Sequence, residues 1–261
     1  MDYKTAQLSE IHPNLSRNYA RYIQDDIDIG LVVRYVGAQD SATVTVASGD
    51  ITFQHGALAA EAVDSTIDSG GNDAGVIDVS DSNANTMGEV VDLINASANW
   101  EAKMVDCLRA DASAGYLLNM AEFTLTPTTE TVNLLKDTSA ALNLSISLGK
   151  TGIESFLDTE GDPFNSNGDT LYYANGIYGT YVNTFGSGTC LIQVWDIDPV
   201  ALTEVKIFQE PSAATTVQGY SYFYLHDGID TLAKGHTLLY RMIGSAACTG
   251  WVSAAWNLKR F

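Results

Sequence analysis

Cysteine, basic residues and long apolar runs are all scarce in this sequence. The chain of 261 residues has three cysteines, Cys107, Cys190 and Cys248, none in a CxxC pair. A disulfide framework needs dense, even-numbered cysteines, so no such framework is expected. Three small buried hydrophobes are expected instead, as in a chain folded in a reducing cytoplasm. No apolar run approaches the roughly 18 residues of a membrane span. The opening stretch, MDYKTAQLSEIHPNLSRNYARY, lacks the apolar core of a secretory leader, which predicts a chain without one.

Lysine and arginine number 13 against 32 acidic residues, a formal net charge of −19. Nucleic-acid binding needs a basic stripe that releases counterions from phosphates, and none is present. Anionic lipid is disfavoured for the same reason. Neither nucleic acid nor membrane is therefore an expected partner. High negative charge keeps an apolar-rich chain soluble; it could also meet a basic partner or divalent cations.

Chemistry-bearing motifs are also few. The four histidines, His12, His55, His226 and His236, include no i,i+4 pair of the kind a helical metal site uses. There is no GxSxG elbow, phosphate-binding loop or GxGxxG. Cys190 with His226 or His236 carries no nucleophile signature. Carboxylate clusters such as Asp25, Asp26 and Asp28 are expected at this composition, and glycoside hydrolysis would need two of them facing across a cleft. The expectation is a protein without an enzymatic activity. The richest polar constellation is Asp158, Glu160, Asp162, Asn165, Asn167 and Asp169. Alternating acid and amide oxygens in a Gly-containing loop can surround a hard cation, so calcium is the candidate metal. The plainer alternative is a solvated turn. It is not an EF-hand: the twelfth-position Glu is missing and strands flank it. A second Asp/Asn loop, Asp64 to Asp81, is a weaker candidate for a cation, with a mobile loop as the plainer alternative.

What the chain does contain is β pattern. With 46% hydrophobic residues it can bury a core. Residues 1–28 read as an extended N-terminal arm. Asn14 to Gln24 is expected to form a short helix with Leu15, Tyr19, Tyr22 and Ile23 on one face. Such an arm either straps its own body or reaches a neighbouring subunit. Its anchors, Tyr3, Leu8, Ile11, Leu15, Tyr19 and Tyr22, are the candidate interface residues.

Residues 29–126 read as a small α+β module. Residues 30–36 form a strand; 42–47 and 50–54 alternate as a hairpin about Ser48-Gly49-Asp50. Thr86 and Glu89 have capping-box spacing ahead of Val90, Leu93 and Ile94, predicting a helix that ends across Asn95–Asn99. Cys107 is assigned to helix. Trp100–Val105 fits either a returning strand or a second helix. The run Thr86-Met-Gly-Glu-Val-Val-Asp-Leu-Ile-Asn-Ala96, followed by Trp100-Glu-Ala-Lys-Met-Val105, resembles small β–β–helix–β modules of phage tail and capsid proteins and flagellar cap proteins. That resemblance covers about 60 residues and implies an add-on module of an extracellular or virion assembly.

Residues 127–261 read as a β-sandwich domain. Strands are expected at 131–135, 142–148, 170–174, 177–184, 189–196, 204–209, 216–225, 236–243 and 250–258, separated by Gly, Pro, Asn and Asp turns. The fold class is thus mostly β, a β-sandwich or jelly roll with the α+β module and the arm. Tyr220, Tyr222, Tyr224, Trp251 and Trp256 are expected to pack the sheets; a sugar platform is the alternative. In style the whole chain resembles the decoration (cement) proteins of tailed-phage capsids. The resemblance implies a homo-oligomeric virion protein, assembled in the host cytoplasm, with the major capsid protein and its own copies as partners. A tail, baseplate or fibre protein binding host glycan, and a secreted carbohydrate-active enzyme, are the alternatives.

Overall fold

The computed structural model describes residues 17–24, 29–70, 74–125, 131–137, 143–148, 171–183, 190–198, 201–211, 219–225, 237–244 and 251–260. Among them the protein is mostly β, with antiparallel sheets and one short helix. The chain divides into two compact units. One is continuous, Ile29–Asp137. The other gathers the chain on either side, Met1–Asp28 with Thr138–Phe261. The first is therefore an insert within the second.

The outer unit has eight described strands: β1 (Arg17–Gln24), then, after the insert, β10 (Asn143–Leu148), β11 (Leu171–Asn183), β12 (Cys190–Asp198), β13 (Thr203–Pro211), β14 (Gly219–Leu225), β15 (Thr237–Gly244) and β16 (Trp251–Arg260). They pair first with last and inward: β1 with β16, β10 with β15, β11 with β14, β12 with β13, all antiparallel. These four pairs alternate between two four-stranded sheets, β1-β16-β11-β14 and β10-β15-β12-β13. A long hairpin of eight strands, four to each arm, folded over in this way is a jelly roll. The topology decides between the two architectures the sequence leaves open.

Two expectations are corrected here. Arg17–Gln24 is a strand, not the helical end of an arm: Tyr19 lies opposite Trp256 and Tyr22 opposite Ser253. The apolar residues that suggest one helical face also suit a strand, and pairing with β16 supplies backbone partners that an isolated short helix would lack. Strands expected at 170–174 and 177–184 are one strand, β11, with irregularities on both sides of Asn175. Asn175-Gly176 reads as a break but acts as a bulge.

The insert contains β2 (Ile29–Tyr35), β3 (Ser41–Ala47), β4 (Asp50–Ala57), β5 (Ala60–Val63), β6 (Val76–Asp78), α1 (Met87–Ala96), β7 (Trp100–Met104), β8 (Met120–Leu125) and β9 (Thr131–Leu135). Its sheets are β7-β2-β9 and β5-β4-β3-β8, with β6 also on β4. Thr131–Leu135, expected as the first sandwich strand, pairs instead with β2. Trp100–Met104 resolves as a strand on the other side of β2. Cys107 lies beyond β7, outside any helix; it is buried and donates to the Gly30 carbonyl.

Local chemistry explains these elements. The β3–β4 turn has Ser48 and Gly49 both at positive φ, 56° and 97°. That is the two-residue turn whose twist matches an antiparallel hairpin. The helix opens with the full capping box: Glu89 N donates to Thr86 Oγ1, and Thr86 N donates to Glu89 Oε2. Trp100 is the largest fully buried side chain among the described residues, packed edge-on against Phe53 and Tyr35 at 5.0 and 5.1 Å. Leu31, Val33, Val44, Ile51, Ile77, Val90 and Ile94 complete this core. The ends of the insert lie side by side, since Ile29 pairs with Leu135. A domain whose termini are adjacent can interrupt another without distorting it.

Candidate functional site

The densest polar cluster is a hub inside the insert, centred on Asp64, which is 1% exposed. Oδ2 accepts from Trp100 Nε1 and Asn99 Nδ2, each at 3.0 Å, and lies 3.5 Å from His55 Nε2. Oδ1 accepts from the Thr66 amide at 3.0 Å and the Thr66 hydroxyl at 2.6 Å. Burial alone would raise the pKa of this carboxyl. Hydrogen bonds from Thr66 and Asn99, with the nearby His55, outweigh burial and hold it below its ordinary 3.8.

Acid, imidazole and hydroxyl together invite comparison with a nucleophile relay. The connections are wrong for one. Ser97 Oγ meets Thr66 Oγ1 at 2.8 Å and the Asp64 carboxylate at 3.5 Å. A relay needs the hydroxyl on the imidazole and the imidazole on the acid. His55 stacks on Tyr35 instead, and its buried Nδ1 has no partner among the described residues. The carboxylate ties β4, the loop after β5, the end of α1 and the start of β7 together. It is a structural pin.

The run Thr86 to Ala96 also has structural work. Asn95 pairs with the backbone of Ala102, donating from Nδ2 to its carbonyl and accepting its amide at Oδ1. This clamps the helix end to β7, and Ala102 is buried beneath it. Gly88 gives close approach: a Cβ there would lie 2.9 Å from the Cβ of Arg109. The amides of Met87 and Gly88 donate to the carbonyls of Asp111 and Arg109. With Glu89 N on Thr86, the first-turn donors are used internally, so they do not form an anion site.

The Asp64–Asp81 loop, expected to be mobile, is cross-tied where it is described. Ser69 Oγ donates to Asp81 at 2.7 Å and accepts from Asp78 N, while Asn83 reaches the Ser69 carbonyl. Asp68 and Asp78 accept amides two residues on. These acids serve as turn caps. Among the described residues no group of three or more His, Cys, Asp or Glu is placed to hold a metal ion. No helix among them is long and apolar enough to cross a membrane. The calcium candidates Asp158, Glu160, Asp162, Asn165, Asn167 and Asp169 lie outside the described residues, as do Tyr3, Leu8, Ile11, Leu15, Asp25, Asp26, Asp28, His226, His236 and Cys248.

The outer unit presents a different feature. Among the described residues β13 ends its sheet, paired with β12 on one side. Leu202, Val205 and Ile207 are 52%, 57% and 39% exposed. Beside them Lys206 lies over the Trp195 ring, 5.8 Å from its centroid, and donates to Gln209. Gln209 also accepts from Gln193, which in turn accepts from Trp195 Nε1. Exposed apolar side chains on a sheet edge are a feature that interaction surfaces use. The sequence predicts a strand at 204–209 but not that it is an edge. Edge position depends on which strands pair, and local alternation does not encode it.

No protein-family model matches the chain, and no curated protein matches it. Solved structures of a viral capsid protein resemble it weakly. One is the infectious bursal disease virus Gt strain, at 11% identity and TM-score 0.23, covering 95% of this chain and 59% of that one. Another is a D431N mutant VP2 protein of the same virus in T=1 particles, at 11% identity and TM-score 0.24, covering 93% and 56%. The chain thus spans less than two thirds of these proteins' length.

Proposed function

We propose that this chain is a non-enzymatic structural protein of a virion, a capsid decoration (cement) subunit of a tailed phage. The observation that supports the reading best is the jelly roll with an exposed apolar edge at Leu202, Val205 and Ile207. Jelly rolls also build lectins and cupins, so the fold alone names no function. A jelly roll that keeps three large apolar side chains in water along one edge is suited to assembly. Its partners are the major capsid protein and copies of itself. Seating the edge on a shell removes apolar surface from water, at about 25 cal/mol per Å² before association costs. Spread over many subunits, that gain resists pressure from within.

The test uses bare expanded shells. Purified protein should bind them saturably and raise their disruption temperature. Val205→Asp should weaken binding at least about tenfold, since it places a charge at the centre of a contact meant to be dry. Shells that neither bind the protein nor gain heat resistance would end this reading. Turnover of a polysaccharide, abolished by one Asp or Glu substitution, would replace it with an enzymatic one.

A further inference from the structure

We infer that the tip of the β4–β5 hairpin docks through Leu58 on a partner protein whose surface offers an apolar pocket rimmed by lysine or arginine. The inference deepens the proposed role in assembly by giving the chemistry of the partner surface, and rests on that role for its setting.

The tip has an unusual composition for a turn that only joins two strands. Such turns favour Gly, Asn, Asp and Pro. Here Ala57-Leu58-Ala59-Ala60 has no polar side chain, and all four residues are exposed. Leu58 is 70% exposed, the most of any large apolar side chain among the described residues. The turn is nevertheless firmly held. The Glu61 carboxylate accepts from the Ala59 amide at 3.2 Å and from the Ser41 hydroxyl at 2.6 Å. Gly56 lies between Glu61 and Ser41 in the register and has no side chain to keep them apart. At the base of the hairpin the Asp64 amide donates to the Phe53 carbonyl, and the Asp64 side chain is fixed by Trp100 and Asn99. An apolar side chain carried on a pre-ordered hairpin loses little freedom when it docks.

Charge decides what kind of surface receives this knob. The insert has 16 acidic residues and 4 basic ones. Of the basic residues, Arg34 pairs with Glu101, Arg109 pairs with Asp92, and Lys136 is fully buried. The charge the insert presents is therefore predominantly negative. Two acids border the tip itself. Glu61 faces Gly56 from β5, and exposed Asp40 directly precedes Ser41, which faces Gly56 from β3. An apolar knob with an acidic border is complementary to an apolar pocket with a basic border. A second copy, equally acidic in its insert, would be repelled there, as would anionic lipid. A basic partner also fixes the sign of the salt effect: binding weakens as salt rises.

The test measures the affinity of the full chain for bare expanded shells. Leu58→Ser should bind at least about tenfold more weakly, since it removes the anchor without changing charge. Its melting temperature should not move, because Leu58 is exposed. Asp40→Asn and Glu61→Gln, which keep shape and remove charge, should each weaken binding about two- to threefold. Shell binding that ignores Leu58→Ser, or that tightens as salt rises, would overturn the inference and leave the assembly role standing. Shells that bind nothing would end the assembly role, and a second probe then decides: a synthetic helical peptide with a leucine stripe flanked by lysines. Peptide binding that is lost in Leu58→Ser sustains the inference; no binding, or binding that survives the substitution, overturns it. Capture by neutral-lipid vesicles that Leu58→Ser abolishes would give the tip to a membrane and overturn it as well.

Discussion

The two units of this protein are built by opposite routes through the chain. In the insert, neighbours in sequence become neighbours in space: β3 and β4 share a two-residue turn, and α1 leads into β7 within a few residues. In the jelly roll the first strand pairs with the last, Arg17 opposite Leu258. Closing such long loops is slow and must come before the contacts that reward it. The insert can therefore form as soon as Ile29–Asp137 is available. The jelly roll can close only when both of its halves are present.

The strongest way to break this comparison is to remove residues 1–28. The loss of β1 exposes the edge of β16 and should remove the cooperative transition of the jelly roll altogether. The insert should keep its own transition, and residues 29–137 expressed alone should fold. Hydrogen exchange read by mass spectrometry would check both, with protection surviving in β2–β9 and lost in β10–β16. Equal loss in the two units would make them one cooperative body.

The Asp64 hub sharpens the comparison from the side of the insert. Asp64→Ala strands the buried donors of Trp100, Asn99 and Thr66. It should cost about 3–5 kcal/mol, in the insert's transition only. Asp64→Asn, which keeps an acceptor, should cost about half as much. Acid should act through the same group. The folded pKa of Asp64 lies below 3.8. Its contribution is therefore fully present above the unfolded value and is lost as the pH falls through the lower folded one. The insert's denaturation midpoint should fall in that window in wild type, and less in Asp64→Asn.

The same contrast governs what could be read from the sequence. Signals carried by adjacent residues were legible: the Ser48-Gly49 turn, the Thr86–Glu89 box, and nearly every strand from β10 to β16. Signals carried by distant pairing were not. Tyr19, Tyr22 and Ile23 fit a helix as well as a strand until Trp251–Leu258 is set beside them. Thr131–Leu135 looks like any other strand until β2 is its neighbour. The hub was hidden for the same reason: Asp64 sits in an acidic loop, and only the fold brings Trp100, Asn99 and His55 to it. The position of β13 at the end of its sheet, among the described strands, was not legible because it depends on which distant strands pair.

A smaller effect separates local from distant stabilisation within the insert. Thr86→Ala removes the acceptor for Glu89 N and should cost about 1 kcal/mol. The loss should appear as a lower midpoint with the slope unchanged, since α1 is held mainly by Val90, Val91 and Ile94 in the core. A loss near that of Asp64→Ala would mean that the helix nucleates the insert.

The smallest effect addresses the two turn tips, one in each unit. Ala59, between β4 and β5, and Leu202, between β12 and β13, are both left-handed, at φ of 63° and 57°. An L-residue there costs about 1–2 kcal/mol, which glycine avoids at the expense of unfolded-state entropy. Ala59→Gly and Leu202→Gly should each raise their own unit's stability by up to about 1 kcal/mol. The substitutions should part company in assembly. Ala59 offers only a methyl group, whereas Leu202 stands at the end of the apolar edge. Leu202→Gly should therefore give a more stable chain that self-associates more weakly, and Ala59→Gly a more stable chain that associates as before. If Leu202→Gly leaves association untouched, the leucine is only a strained turn residue, and the edge proper begins at Val205.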